Sequence, residues 1–209
     1  MKLTPHPNIS LTLIRHGEVD PAMKKICYGQ MDVPLSEHGR TSSLHLASTL
    51  ASKMMPDRIV YSGRSRTRFL AEAFSQALDH KIQPKEDRRL LERDYGTWQG
   101  KTWDKVFESD PDHFHDLIEK PDSYRPPGGE TTTEMKQRIC QWYKELSEPN
   151  DDALAGTFSV IAITHSGPLT ALAGSMLGLH PRDWRDWFPP TLGTIEISAS
   201  SDRPIQRSW

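Results

Sequence analysis

Five side chains in this 209-residue chain have the chemistry to hold a phosphoryl group and pass it on. Arg15 and His16 stand together in LTLIRHGEVD (11–20), and Arg66 ends SGRSR (62–66). Glu92 opens ERDYGTWQG (92–100), and His165 sits in ITHSGPL (163–169). Guanidinium groups read phosphate oxygens through paired, planar N–H donors. An imidazole serves as nucleophile, proton carrier or donor near neutral pH. A carboxyl group can hand a proton to a departing oxygen. With arginines neutralising the developing charge, such a centre requires no metal. Backbone N–H groups at Gly17 and Gly167 would add donors. Each residue also has a plainer reading. The histidines could be ordinary half-buried ones, Arg66 a surface arginine beside Arg64 and Arg68, and Glu92 an ion-pair partner of Arg89 or Arg93.

Strands and helices must bring the five to one place. Residues 10–15 alternate into a short buried strand ending on Arg15. Ser36 is placed to cap a helix reaching about Met54, with Leu44, Ala47, Leu50, Ala51 and Met54 at helical spacing. Residues 58–61 form a second strand. A helix over 65–78 turns Phe69, Leu70, Ala73, Phe74 and Ala77 inward. A third strand is expected at 81–85, irregular chain at 90–100, and one or two short acidic helices at 102–120. After a loop at RPPGGE (125–130), a helix over 131–146 carries Met135, Ile139, Trp142 and Leu146 on one face. FSVIAIT (158–164) is the most apolar strand and therefore central. A helix over 167–179 follows, and GTIEIS (193–198) closes the sheet as an antiparallel edge. This alternation predicts an α/β three-layer sandwich, a mostly parallel central sheet with helices on both faces. One domain over 1–209 is expected, with a small helical cap inserted at about 100–130. Ligands of such sheets bind beyond the carboxyl ends of the strands, which is where Arg15-His16 and His165 fall.

Composition narrows the partners. A formal net charge of −2 gives no basic field for nucleic acid. No apolar run approaches the roughly 20 residues of a membrane span, and MKLTPHPNIS lacks the apolar centre of a signal peptide. Two cysteines far apart, Cys27 and Cys140, read as reduced thiols. The expectation is a cytoplasmic protein, monomer or homodimer, with a small phosphorylated metabolite as partner.

Taken in order, these stretches resemble the histidine phosphatase superfamily, in its phosphoglycerate-mutase-like branch. LIRHGE (13–18) is similar to that branch's strand ending in R-H-G, and YGQMDVPLSEHGR (28–40) to G-x-x-D-x-P-L-T-x-x-G. ERDYGTWQG resembles the acid-bearing E-x-x-x-G-x-W-E/Q-G, while PGGET (127–131) and ITHSGPL resemble later motifs. The resemblance implies that His16 attacks phosphorus and becomes a phosphohistidine. It implies that Arg15, Arg66 and His165 hold the phosphoryl oxygens. Glu92 would protonate the leaving alcohol and then help water attack. The implied substrate-binding set is Arg15, Gly17, Gly29, Arg66, His165 and Ser166, with no metal and no cofactor. Three departures stand out. SGRSR replaces S-P-L-x-R, which leaves Arg64 as a competitor of Arg66. Ser166 stands where glycine is frequent. Val19-Asp20-Pro21 stands where an asparagine is common, which points away from a mutase.

The scaffold so resembled carries both phosphatases and mutases. The acidic stretch 102–120 suits a bisphosphorylated substrate poorly. Hydrolysis of a phosphomonoester is therefore expected, with α-ribazole phosphate a candidate because CYGQMDVPL (27–35) resembles that subfamily. The alternatives are a phosphoglycerate mutase and a non-catalytic phospho-ligand-binding protein. His113 and His115 read as a solvated pair rather than a metal site. Trp98 and Trp103 read as packing before ligand stacking, and Cys27 as packing. Trp184, Trp187 and Phe188 read either as helix packing or as an oligomer contact.

Overall fold

A computed structural model describes residues 3–109, 111–146, 157–199 and 204–209. In chain order the regular elements are β1 (Ile9–Arg15), α1 (Glu37–Ala51), β2 (Arg58–Tyr61), α2 (Ser65–Ala77) and β3 (Lys85–Glu86). They continue with α3 (Trp103–Ser109), α4 (Pro111–Glu119), α5 (Thr132–Leu146), β4 (Phe158–Thr164), α6 (Ser166–Leu177), β5 (Thr194–Ser198) and β6 (Ile205–Ser208). The sheet order is β3-β2-β4-β1-β5-β6. The first four strands of that order are mutually parallel; β5 and β6 each run antiparallel to the strand before. β4, the most apolar, lies in the middle as its composition predicts.

Strand alternation builds two cores. Leu11, Leu13, Val160, Ala162, Ile195 and Ile197 face α5 and α6, meeting Ile139, Trp142 and Leu172. Ile14, Ile59, Tyr61, Ile161 and Ile163 face α1 and α2, meeting Ala47, Leu70 and Phe74. Each fully buried aliphatic of these layers contributes about 1.5–3 kcal/mol of transfer free energy. The three-layer α/β sandwich is therefore as expected. A third, smaller cluster joins Cys27, Trp98, Val106 and Tyr124 to Trp103, Phe114 and Leu117, so α3 and α4 pack on the irregular segment before them. Trp98 and Trp103 are packing residues within it.

Ser36 does cap α1, its Oγ accepting from the Gly39 N–H at 2.9 Å. Several boundaries differ from expectation. α1 ends at Ala51, but Ser52 is still right-handed and the Met54 N–H still donates to the Leu50 carbonyl, close to the expected end near Met54. The third strand is Lys85–Glu86, not 81–85, because Pro84 has no N–H to pair. Ile82 instead packs against the α1–α2 layer, and its carbonyl accepts from the Ser75 hydroxyl. Ala77 is exposed; Leu78 takes the buried position. β5 is antiparallel as expected but is not the edge, since β6 pairs outside it. Exposed, polar β6 has no alternation to announce it. Among the described residues, no helix is long and apolar enough to cross a membrane.

Candidate active site

The register of β1 and β4 explains why a strand should end on an arginine and a histidine. Arg15 is paired with Thr164, so the next residues, His16 and His165, emerge side by side from two adjacent parallel strands. Their ring centroids are 5.1 Å apart, and they are 2% and 1% exposed. The His16 N–H donates to the Thr164 carbonyl. Gly17 must lack a side chain, because a Cβ there would stand 2.7 Å from the Gly39 carbonyl oxygen and 2.6 Å from Ser43 Oγ. That constraint comes from the packing of α1.

His16 Nδ1 lies 2.7 Å from the Gly17 carbonyl oxygen. A carbonyl only accepts, so Nδ1 carries the hydrogen and Nε2 the lone pair. Burial, then the charge of Arg66, then that of Arg15 hold this imidazole well below the usual histidine range; the bond to Gly17 acts the other way. His16 is a neutral nucleophile at neutral pH.

The protonation of His165 follows from a count of hydrogens. Thr67 Oγ1 donates to the Arg64 carbonyl at 2.8 Å, which uses its only hydrogen. In its 3.0 Å bond to Ser62 Oγ, Thr67 must therefore accept. That uses the Ser62 hydrogen, so Ser62 accepts from His165 Nε2 at 2.7 Å. Neutral His165 thus carries its hydrogen on Nε2 and a lone pair on Nδ1, which is buried and has no partner among the described residues. Burial, Arg66, His16, Arg138 and Arg15, in that order, keep it well below the usual histidine range.

Arg66 and Arg64 are placed differently, and Arg66 is the one whose charge acts on the histidines. It is fully buried at the start of α2. Nη1 donates to the Met31 carbonyl at 2.6 Å and Nη2 to the Gly29 carbonyl at 2.9 Å, leaving Nε without a partner. Gly29 thereby holds the arginine in place. Burial draws Arg66 down to about 10, so it remains a cation at neutral pH. Arg15 is similar: Nη1 donates to the Pro189 carbonyl at 2.7 Å, and buried Nε is unpartnered. Arg64 is the residue preceding α2, half-buried, its Nε also unpartnered.

Glu92 reaches the same region from the irregular segment. Its Oε2 accepts from Ser166 Oγ at 3.2 Å and the Gly167 N–H at 3.3 Å, at the N-terminus of α6. Its Oε1 accepts from the Arg93 N–H. A Cβ on Gly167 would stand 2.2 Å from Oε1. Arg138, which the sequence reading did not single out, anchors the segment: it donates to the carbonyls of Arg89 and Glu92 and to Glu130 at 2.7 Å. Arg93 is buried and donates to the carbonyls of Tyr124 and Glu130. The plainer reading of Glu92 as a partner of Arg89 fails, since Arg89 pairs with Asp87 and Glu145.

Beside Glu92, Ser166 and Gly167 opens a cavity of about 360 Å³, walled by α4, α5 and residues 181–188. Among the described residues, no three His, Cys, Asp or Glu could together hold a metal ion. His113 stacks on Tyr124 and His115 lies edge-on to Phe107. Burial pushes the Cys27 thiol up to about 12, as befits packing. The structure thus brings Arg15, Arg66 and His165 into the surroundings of His16, sets Glu92 within reach of the Arg66 charge, and adds Ser62, Thr67 and Arg138. Hydroxyls lying beside a buried arginine in SGRSRT were the one sequence signal for the first two.

The profile of a family described as histidine phosphatase superfamily (branch 1) matches residues 11–209. A glucosyl-3-phosphoglycerate phosphatase of Mycolicibacterium vanbaalenii is 32% identical over 187 residues, 88% of this chain and 78% of that protein. Phosphoserine phosphatase 1 of Hydrogenobacter thermophilus is 28% identical over 171 residues, 82% of this chain and 77% of that one. A probable phosphoglycerate mutase of Escherichia coli is 28% identical over 177 residues, 82% and 76% of the two chains. Among solved structures, the mycobacterial glucosyl-3-phosphoglycerate phosphatase superposes with a TM-score of 0.77 at 26% identity, over 90% of this chain and 89% of that one. A putative α-ribazole-5'-phosphate phosphatase of Escherichia coli shares the fold, with a TM-score of 0.79 at 19% identity, over 96% and 94% of the chains.

Proposed function

The chain belongs to the histidine phosphatase superfamily, branch 1, and from that we propose that it hydrolyses phosphomonoesters of small metabolites through a phosphohistidine on His16. One observation carries this reading: the Nε2 lone pair of His16 is preset by the Gly17 carbonyl, and its neighbours Arg15, Arg66 and His165 each keep a buried polar atom, Nε, Nε and Nδ1, without a partner.

In the first step Nε2 attacks phosphorus and the bond to the leaving oxygen breaks. Glu92 donates a proton to that oxygen and becomes a carboxylate. Arg15 and Arg66 hold two of the equatorial oxygens as charge builds on them, and His165 holds the third once its hydrogen shifts from Nε2 to Nδ1, at the expense of the Ser62–Thr67 bond. In the second step Glu92 takes a proton from water, the water oxygen bonds to phosphorus, and the N–P electron pair returns to Nε2. The two arginines supply the charge neutralisation, so no metal is needed. Hydrolysis is favoured over mutase chemistry by the acidic α3 and α4, which suit a bisphosphorylated substrate poorly. α-Ribazole phosphate remains a candidate through CYGQMDVPL and the shared fold. Two free, high-pKa thiols accord with a reducing cytoplasm.

The test is phosphate release from an aryl phosphate, α-ribazole phosphate, 3-phosphoglycerate and fructose bisphosphates, with His16→Ala beside wild type. Wild type should release phosphate, and His16→Ala should lose on the order of 10³-fold or more. Equal rates in the two proteins refute the phosphohistidine. Interconversion of phosphoglycerates without release assigns the chain to the mutases.

A further inference from the structure

One segment takes no part in the chemistry above and has an unusual pattern. Residues 182–187 read Arg-Asp-Trp-Arg-Asp-Trp, a tripeptide written twice. They lie in a 3-10 helix, Pro181–Trp187. Such a helix has three residues per turn, so side chains three apart fall in one row, and runs beyond three or four residues are uncommon. A three-residue repeat on a three-residue turn sorts the segment into an arginine row, an aspartate row and a tryptophan row.

The tryptophan row anchors the segment. Trp184 is 3% exposed and packs into a notch at Gly174 of α6, where a Cβ would stand 2.2 Å from the indole nitrogen. The aspartate row, Asp183 and Asp186, is exposed. The arginine row, Arg182 and Arg185, continues to Phe188 and lines the cavity that also contains Glu92, Ser166 and Gly167. Arg182 donates to the Glu119 carbonyl at the end of α4. The Arg185 carbonyl accepts from the Phe188 N–H, but its side chain makes no hydrogen bond or ion pair among the described residues. The remaining wall is largely apolar, from Leu117, Met135 and Trp184.

We infer that the arginine row reads a carboxylate on the leaving group, so that the substrate is a phosphomonoester of a small hydroxy acid. This rests on the hydrolytic reading, since it assigns the far end of the same substrate: phosphate at His16, carboxylate at Arg185. A guanidinium fork matches the two oxygens of a carboxylate. A second phosphate suits the place less well, because a dianion meets more repulsion from acidic α3 and α4 than a monoanion does. An uncharged alcohol would leave Arg185 unused.

The experiment compares esters that differ by a carboxylate: 3-phosphoglycerate with glycerol 3-phosphate, and 4-carboxyphenyl phosphate with phenyl phosphate. The readout is the ratio of kcat/KM, acid over neutral ester, in wild type, Arg185→Gln and Asp183→Asn. Arg185 is exposed, so glutamine there leaves packing intact. Wild type is expected to favour the acid about tenfold, and Arg185→Gln to abolish the preference. Asp183→Asn, one row away, should shift the ratio less than about twofold. A wild-type ratio near unity, or a ratio unmoved by Arg185→Gln, overturns the inference. So do equal and opposite shifts in the two variants, which mark a diffuse field rather than a contact. Best turnover of α-ribazole phosphate, or of a bisphosphate, overturns it too. If wild type releases phosphate from none of them, dissociation constants of the same pairs are measured by calorimetry. An acid preference lost in Arg185→Gln then upholds the carboxylate site while hydrolysis falls; no preference defeats both.

Discussion

Replacing Thr67 by Val should tighten the grip on a phosphoryl dianion. Thr67 is fully buried, and valine copies its shape. The hydroxyl that disappears donates to the Arg64 carbonyl and accepts from Ser62. The carbonyl is not stranded, because the N–H groups of Thr67 and Arg68 already donate to it at 3.0 and 2.9 Å. The Ser62 hydrogen, however, is released, and His165 Nε2 lies 2.7 Å away to accept it. The ring hydrogen then moves to Nδ1, on the crevice side. In wild type that tautomer sacrifices the Ser62–Thr67 bond, about 1 kcal/mol for a neutral hydrogen bond, a factor of about five. The assay is inhibition by a non-hydrolysable phosphonate. At about pH 8 the ligand is a dianion without a hydrogen of its own; at about pH 6 roughly half of it carries one, which the wild-type Nδ1 lone pair accepts. Thr67→Val should lower Ki about fivefold at the higher pH and less than about twofold at the lower. Weaker binding at about pH 8, or an equal gain at both pH values, refutes the hydrogen count.

The two buried histidines also predict a pH dependence of stability. Both are held well below their unfolded value of 6.5, so below it the unfolded chain binds more protons. Their stabilising contribution is complete above about 6.5 and lost as pH falls toward the folded values, with a slope of up to about 2.7 kcal/mol per pH unit for the pair. Urea titrations across that range should show it, and a pH-independent stability would contradict the burial argument. Gly167→Ala puts a Cβ into Glu92 Oε1 and should cut kcat about 100-fold while phosphate inhibition changes less than about threefold; parallel losses would mean Glu92 is not the proton donor. Arg138→Met strips donors from the carbonyls of Arg89 and Glu92 and from Glu130. It should cost about 3 kcal/mol in chemical denaturation, and a loss below about 1 kcal/mol would show that the acid segment is held by other contacts.

What could be read from the chain follows physical regularity. β1, β2, β4 and α2 were legible because buried apolar residues recur with the period of the element. Ser36 was legible because an N-cap is a local interaction. Pro84 was in plain view, yet β3 was placed too early because its flanking Ile82 looked like strand and is in fact helix-packing. β6 was missed because an exposed edge strand needs no apolar face. Arg15, His16, Glu92 and His165 came from short motifs at element ends. Choosing Arg66 over Arg64 required the fold, since only the start of α2 decides which arginine turns toward Met31 and Gly29. Ser62 and Arg138 work through bonds to groups distant in sequence, which no periodicity encodes, and Thr67 acts on His165 only through Ser62. Of the three aromatics left between packing and oligomer contact, Trp184 is buried in the core, Trp187 packs partly buried against it, and Phe188 is exposed.

The pairing of β1 with β4 has a consequence for the order in which the molecule becomes competent. His16 and His165 are roughly 150 residues apart in sequence and meet only through that parallel ladder. Such long-range parallel contacts carry the largest loop-closure cost and form late. A nascent chain that has exposed everything up to α5 already holds Arg15, His16, Arg66 and Glu92, and yet has no crevice, because β4 must slot between β1 and β2 before the strand ends align. Regain of catalysis during refolding should therefore lag behind recovery of helical signal, and its rate reports the insertion of one central strand.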